Sequence, residues 1–357
     1  MNADPDPKPF DISKLAFTLV ALIALVVIFS YSEAYIIPFI IALIIWFIIH
    51  ELRENIQQVP WLKRHCPLWL QSTLGFVIIN VVILLIAELL IVSMTDLIDS
   101  AEMYERNLDQ TLLRINSIAG IDVTSHAITY IKEMDLAALA STLLDYVSAI
   151  LGDAFLILIY VLFLLVEESV FPLKLQAMYP DEKRRKKMNN LFNKMDHSIS
   201  RYLTLKTIVS LLTGVLSYFA LLIIGVEGAA FWAILIFVLN YIPTIGSLIA
   251  TLFPAVFAVV QFGEFSQMVY VLIAVGLIQV IVGNVIEPKI MGNSLNISSL
   301  VVILSLTIWG AIWGIMGMIL SVPITVMMIV VFEEIPSLRP IALMLSERGK
   351  LNETEED

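Results

Sequence analysis

Long apolar stretches separated by short polar segments make up most of this chain. A helix needs about 20 apolar residues to cross a hydrocarbon core of about 30 Å. Six stretches approach or exceed that length: residues 15–32, 34–50, 68–95, 147–167, 207–226 and 265–286. The pattern predicts an all-α polytopic membrane protein with six to eight transmembrane helices.

Two further apolar stretches, residues 228–263 and 299–332, contain no charged side chain and are too long for one simple span. The first is interrupted around Pro243, and the second by three glycines and Pro323. Backbone groups that a break frees at membrane depth must find partners in protein or water. In transporters such broken helices line the substrate path, whereas the simpler interpretation is a proline kink in a packed helix.

Two arrangements of these stretches bring the C-terminus back to the cytoplasmic side. In one, each stretch crosses the membrane, which gives eight crossings. In the other, both are re-entrant hairpins, the first entering from outside and the second from inside. Glu264, an acid before the span 265–286, and Lys289, a base after it, weakly favour the hairpin arrangement, which places the acid outside and the base inside.

Basic residues set the orientation, because cytoplasmic loops carry an excess of Lys and Arg. Residues 172–206 hold nine of the 21 basic residues, so we expect this segment to be cytoplasmic. Residues 96–146 carry nine acids and three bases and are expected to face the outside. We therefore expect a multi-pass protein of a bacterial inner membrane with both termini in the cytoplasm.

Each of the two polar segments carries an apolar stripe at helical spacing. In residues 172–206 the stripe runs from Met188 to Leu203, which predicts a basic amphipathic helix on the anionic membrane surface. Its basic residues are Lys183, Arg184, Arg185, Lys186 and Lys187. In residues 96–146 the stripe, which includes Leu97 and Tyr104, extends the third span outwards. That stripe contacts either the helix at about 136–147 of the same chain or another subunit.

Composition removes several function classes. The chain is 59% hydrophobic and 15% charged, its mean hydropathy is +0.91, and its net charge is −11. Nucleic acid is therefore not an expected partner. With one cysteine and four scattered histidines, we expect neither a disulfide framework nor a metal site. No phosphate-binding loop or hydrolase motif is present, so we predict no enzyme activity and no cofactor.

Glu287 is the strongest candidate for a coupling residue. It ends the span 265–286, and Gln279, Gly283, Asn284 and Glu287 fall near one helix face. A carboxylate beside amides in an apolar helix can take and release a proton when burial raises its pKa. The structural alternative is an end-of-helix Glu paired with Lys289.

Two other positions carry polar groups within apolar surroundings. Glu88, late in the third span, is either a second coupling residue or an interfacial residue. Asn240, Tyr241 and Thr244 offer amide and hydroxyl groups beside Pro243, which suits a small, neutral solute with several hydroxyls.

Three late motifs resemble the AI-2E transporter family, and most nearly its autoinducer-2 exporters. They are the run Leu239–Ser247 (LNYIPTIGS), the run Gly283–Gly292 (GNVIEPKIMG) and the run Trp309–Pro323. The likeness continues upstream through Tyr202–Thr207 and the first four spans. The family's polar motif positions correspond here to Asn240, Pro243, Gly246, Asn284, Glu287, Pro288 and Gly292.

The resemblance implies an inner-membrane protein that moves the quorum signal autoinducer-2 outwards. If Glu287 takes and releases a proton, this export is coupled to H+. It also implies an alternative, a sodium (or lithium)/proton antiporter. A non-transporting membrane scaffold is a second alternative. Broken charge-free stretches argue against it, because a scaffold has no need of the cavity that such stretches line. The expected partners are the lipid bilayer, a small polar solute, H+ or Na+, and further copies of the chain in a homo-oligomer.

The sequence predicts six regions. They are residues 1–95 (first hairpin and third span), 96–146 (extracytoplasmic helical segment), 147–171 (fourth span), 172–206 (basic amphipathic helix), 207–342 (transport core) and 343–357 (acidic tail).

Overall fold

A computed structural model describes residues 12–57, 67–100, 103–104, 106–107, 111, 136–291, 296–347 and 349. The elements in these residues are helical. The helices are α1 (Ile12–Tyr31), α2 (Glu33–Gln57), α3 (Leu68–Asp99), α4 (Leu136–Met178), α5 (Glu182–Ile224), α6 (Ala229–Leu239), α7 (Ile245–Phe262), α8 (Phe265–Ile281), a π-helical turn (Val282–Ile286), α9 (Glu287–Met291), α10 (Ser299–Glu334) and α11 (Arg339–Leu345).

Membrane-spanning character is distributed along the whole chain. In the described part, seven helices are long and apolar enough to cross a membrane, among them α10 with its 36 residues. Many of their large apolar side chains are exposed, which is the surface that a lipid solvent requires. The predicted all-α polytopic architecture is confirmed.

Helix α5 differs from the predicted layout, in which a surface helix ended at residue 206 and a span began at 207. It runs unbroken for 43 residues, Glu182–Ile224, between its N-cap Asp181 and its C-cap Gly225. Asp181 accepts a hydrogen bond from the backbone N–H of Arg184, and Gly225 supplies the left-handed conformation that ends the helix. No residue between these caps breaks the helical hydrogen bonding, so surface and span form one rod.

The apolar stripe of α5 packs on protein rather than on lipid. Ile199, Tyr202 and Leu203 are buried in one hydrophobic cluster with residues of α10 such as Val322 and Val326. Of the basic run, Lys187 pairs with Glu334 at the end of α10 at 3.2 Å. The others are exposed or half-buried near the first turns of α5, which we name the basic end of the molecule.

The charge-free stretch after α5 forms a helical hairpin, hairpin A, from α6 and α7. Gln261 near the end of α7 donates to the carbonyl of Gly225 at 2.9 Å and accepts from the backbone N–H of Glu227 at 2.8 Å. The start and the end of the stretch therefore lie side by side. The reversal comes at Asn240–Thr244, where Thr244 has a positive φ of 58°.

Helix α10 folds into a second hairpin, hairpin B, although its hydrogen bonding is nearly continuous. Trp313 and Gly314 have non-helical backbone angles, and Gly314 has φ 57°. A Cβ on Gly317 would lie 1.8 Å from the carbonyl oxygen of Trp309. In a straight helix, residues eight apart are about 12 Å apart along the axis, so the chain reverses here. Each of the two stretches thus reverses within itself, as the second predicted arrangement requires.

An extension of α3 contacts the open end of hairpin A. Tyr104 donates a hydrogen bond to the carboxylate of Glu227, and its ring stacks edge-on against Phe257 at 5.3 Å. Leu97 packs against Gly228. The described residues of the outer stripe, Leu97 and Tyr104, therefore pack on hairpin A of the same chain. Most of residues 96–135, and the tail beyond residue 349, lie outside the described residues.

Candidate substrate cavity

A cavity of about 420 Å³ lies between the tip of hairpin A, the arms of hairpin B, α5 and the segment that joins α8 to α9. This volume is within the range of small-molecule sites. Its wall is largely apolar, from residues such as Ile242, Val302 and Val322. The polar side chains that line it are Tyr202, Lys206, Asn240, Thr244, Ser247, Gln279, Asn284 and Glu287.

The cavity contains an ion pair between α5 and α9. Lys206 Nζ donates to Glu287 Oε1 at 2.5 Å, and the side chains are 7% and 22% exposed. Lys289, the partner of Glu287 in the structural alternative, is exposed two residues further on. Glu287 pairs instead with a residue of another helix, and both members of the pair line the cavity.

A π-helical turn presents the polar face of the α8–α9 segment. The wider turn spans Val282–Ile286 and adds a residue relative to an α-helix, so the side chains after it are rotated. Gly283 and Asn284 on this turn and Glu287 directly after it all line the cavity. Such π-turns occur frequently at functional sites, because they place side chains where a regular helix cannot.

The tip of hairpin A is tied to α5 by side-chain hydrogen bonds. Asn240 Nδ2 donates to Ser210 Oγ at 3.0 Å, and the hydroxyls of Tyr241 and Thr207 lie 2.7 Å apart. These bonds hold the broken backbone of the tip beside the cavity.

Gln279 is a buried amide in the cavity wall with an unmet hydrogen-bonding group. The residue is 9% exposed, and its Nε2 has no hydrogen-bond partner in the structure. A buried polar group without a partner is costly, by about 1–3 kcal/mol. A ligand or water that bonds to this amide would remove that cost.

The structure brings most of the predicted path residues together. Asn240, Pro243, Thr244, Gln279, Asn284 and Glu287 line the cavity. Tyr241 lies just behind its wall, and Gly246 is buried within the turn, where a Cβ would come 1.8 Å from the carbonyl oxygen of Leu239.

Two other predicted residues, Pro288 and Glu88, lie away from the cavity wall. Pro288 is exposed next to Glu287 and is not part of the cavity wall. Glu88 is exposed on α3 and is likewise not part of it. Gly292 lies outside the described residues. In the described part, no three His, Cys, Asp or Glu side chains come together in a way that could hold a metal ion.

The sequence analysis did not predict three polar residues of the cavity wall, which are Tyr202, Lys206 and Ser247. Lys206 was counted with the basic residues of a cytoplasmic segment, and its place within a buried helix face was not used. The signal in the sequence was the helical spacing of Tyr202, Lys206, Val209 and Thr213. In the structure all four side chains are buried. Ser247 follows the tip at the first turn of α7 and lines the cavity.

Comparison with known proteins identifies the family. Residues 17–337 match the model of the AI-2E family transporter. The chain belongs to the AI-2E family. It is 33% identical over 341 residues to the AI-2 transport protein TqsA of Escherichia coli K12, covering 94% of this chain and 96% of that protein. The predicted family resemblance is confirmed.

Two further relatives carry names that refer to transport. A transport protein of Haemophilus influenzae is 30% identical over 345 residues, with 92% of this chain and 96% of that protein covered. The transport protein YhhT of Escherichia coli K12 is 28% identical over 272 residues, with 75% and 77% covered. The chain is thus a multi-pass bacterial membrane protein of a transporter family.

Proposed function

We propose that this AI-2E family member is a secondary transporter that exports a small, neutral, polyhydroxylated solute, autoinducer-2, through the cavity between the two hairpins. The observation that carries the proposal is the cavity itself. Its 420 Å³ suit a small molecule, and its polar groups converge from three separate segments of the chain, which are α5, the tip of hairpin A and the α8–α9 segment. A membrane scaffold has no use for such a cavity. The similarity to TqsA supports the choice of solute.

The charges in the cavity favour a neutral solute. Lys206 and Glu287 neutralise each other at 2.5 Å, so the wall carries no net charge from this pair. A charged solute would have to lose its hydration without gaining an unpaired counter-charge, which is unfavourable in a poorly solvated site. Hydroxyl groups, in contrast, both donate to and accept from the amides of Asn240, Gln279 and Asn284.

Glu287 is the coupling residue in this proposal. Its carboxylate lines the cavity and accepts a hydrogen bond from the ammonium of Lys206. A solute that separates the pair would leave a carboxylate in a poorly solvated place, and such a carboxylate takes up a proton. Solute binding and proton uptake would then be linked at one residue.

Cation exchange is less well supported by the same geometry. In a sodium/proton antiporter, Glu287 and Asn284 would supply oxygen ligands to Na+. The ammonium of Lys206 already occupies Glu287 Oε1 and repels a second cation at that place. The ion pair therefore favours the solute transporter over the antiporter.

The proposed orientation places the basic end in the cytoplasm, following the distribution of Lys and Arg. The cavity is then lined by the inner part of α5, because Lys206 lies 18 residues, or about 27 Å of helix, before the end of α5 at Ile224. Solute would enter this cavity from the cytoplasm and leave on the side of Tyr104.

Solute efflux from proteoliposomes tests the proposal. Purified protein is reconstituted with autoinducer-2 inside, with and without a pH gradient, beside Glu287→Gln and the matched control Glu264→Gln, an exposed acid in the loop before α8. We expect protein-dependent efflux that responds to the gradient in the wild type and the control but not in Glu287→Gln. Sodium-driven proton movement without solute efflux would overturn the proposal in favour of the antiporter.

A further inference from the structure

A charged cluster separate from the cavity joins four helices at the basic end. Its centre is Glu168 on α4, which accepts from Trp46 Nε1 on α2 at 2.9 Å and from the guanidinium of Arg53, also on α2. Arg53 donates in addition to Ser72 Oγ on α3 at 3.1 Å. Neither the transport path nor the coupling residue proposed above uses these side chains.

His50 lies between the two acidic members of this cluster. Its Nδ1 is 3.1 Å from Glu168 Oε1 and 2.8 Å from Arg53 Nη2. Its Nε2 is 3.4 Å from Asp196 Oδ2 on α5. The side chain of His50 is 16% exposed, and that of Asp196 is 33% exposed, so water reaches the cluster from one side.

The two protonation states of His50 make different bonds in this arrangement. A neutral imidazole has one donor and one acceptor, so when Nδ1 accepts from Arg53 the single N–H is at Nε2, on the side of Asp196. An imidazolium has two donors and no acceptor, so it donates to Glu168 through Nδ1 and forms an ion pair with Asp196 through Nε2 at the same time. Only the protonated ring therefore connects the carboxylates of α4 and α5.

The local charge favours that protonated ring. Among the described residues, the charged groups that face His50 are Glu168 from α4, Asp196 from α5 and Arg53 from α2. Two of these three groups are carboxylates and one is a guanidinium, so together they favour a proton on His50. The guanidinium opposes the protonation, but it is itself engaged by Glu168 and Ser72.

We propose that His50 is a proton-binding site that ties α5 to α2 and α4 when it is occupied. The helix that it restrains is the one that forms the cavity wall, because Asp196 precedes Lys206 on α5 by ten residues. A fall in pH at the basic end therefore restrains α5 at a place distinct from Glu287. This inference does not depend on the identity of the transported solute.

Thermal unfolding between pH 6 and pH 8 tests the proposal on the full chain in lipid nanodiscs. Because the protonated ring makes the additional bond, its contribution is present at low pH and is lost as the pH rises. We expect the Tm of the wild type to fall from pH 6 to pH 8 by about 2–4 °C more than that of His50→Gln. His197→Gln, at an exposed histidine on α5, is the matched control and should behave as wild type.

Asp196→Asn provides a second variant that keeps the bonds of Glu168 intact. It removes the charge on α5 that the imidazolium reaches, so it should lose most of the additional pH dependence even if His50→Gln folds poorly. Equal pH dependence of the Tm in the wild type, His50→Gln and Asp196→Asn would overturn the proposal.

Discussion

Lys206 Nζ and Glu287 Oε1 lie 2.5 Å apart, although 81 residues separate them in the chain. The contact joins the middle of α5 to the residue that follows the π-helical turn. It is the only ion pair of the described residues that lines the cavity, and it gives the cavity its electrostatic character.

Breaking this pair from one side should destabilise the protein. Lys206→Met leaves the Glu287 carboxylate without its counter-ion in a poorly solvated wall, which costs about 3 kcal/mol. The double variant Lys206→Met/Glu287→Gln leaves no uncompensated charge and should recover most of that loss. Unfolding by heat or denaturant in detergent, on the two single variants and the double variant, measures the coupling.

The exposed Lys289→Met is the control for the loss of a positive charge. It should change the stability by less than about 0.5 kcal/mol. Additive losses in Lys206→Met and Glu287→Gln would show that the two side chains do not interact in the folded protein.

Gln279→Leu should separate stability from transport. The buried Nε2 has no partner in the folded protein, so its removal should leave the stability unchanged or raise it. If the amide bonds to the solute, its loss should raise the apparent KM for efflux about fivefold, the equivalent of about 1 kcal/mol. Concentration-dependent efflux together with Tm tests both statements, and a lowered Tm with an unchanged KM would contradict them.

Two glycines are required by close backbone approach in the hairpin turns. A Cβ at Gly246 or Gly317 would lie 1.8 Å from a backbone carbonyl oxygen, of Leu239 and Trp309 respectively. A backbone oxygen cannot rotate away from the added Cβ as a flexible side chain can. We therefore expect alanine at either position to lower the free energy of unfolding by about 3 kcal/mol.

Gly152→Ala on α4 is the matched control for both, because nothing lies within 4 Å of its added Cβ. Alanine there improves helix propensity and should be neutral or slightly stabilising. The yield of monodisperse protein and its Tm measure the difference. Equal yield and Tm for Gly246→Ala and Gly152→Ala would show that the chain does not turn at the tip of hairpin A as described.

Tyr104 should make the contact between α3 and hairpin A sensitive to alkaline pH. Burial, and then the hydrogen bond to Glu227, raise the pKa of Tyr104 above its ordinary value of about 10. Its stabilising contribution is thus complete below about pH 10 and is lost as the pH rises through the higher pKa of the folded state.

Tyr104→Phe should lower the stability at pH 7 by about 1–2 kcal/mol, and the gap to wild type should close at alkaline pH. Tyr270→Phe, at an exposed tyrosine on α8, is the control. Unfolding curves between pH 7 and pH 11 measure the gap. A difference between wild type and Tyr104→Phe that stays constant over that range would contradict this role of Tyr104.

The sequence predicted the class of fold and the location of the breaks. Long apolar runs report lipid exposure directly, and Pro243 with its polar neighbours marks a place where a helix cannot continue. Whether such a break kinks a helix or reverses it depends on tertiary contacts. Gln261 bridges Gly225 and Glu227 across hairpin A, and the pattern of residues 228–263 does not encode that pairing.

The predicted site was incomplete for a related reason. Asn284 and Glu287 were identified because they are polar residues in an apolar helix, whereas Lys206 is at the end of a basic segment and resembles its neighbours. That Lys206 pairs with Glu287 follows only from the packing of α5 against α9. The π-helical turn was equally invisible, because it changes which residues share a face without changing the composition of the segment.

Blocking the cavity tests the central claim most directly. With the chain's single cysteine, Cys66, replaced by serine, Ser247→Cys places one thiol in the cavity wall and Ser266→Cys places one at an exposed site at the start of α8. Each variant is treated with a charged thiol reagent, and autoinducer-2 efflux is then measured. We predict that modification abolishes efflux only in Ser247→Cys and that added autoinducer-2 slows its modification. Undiminished efflux from fully modified Ser247→Cys would contradict transport through this cavity.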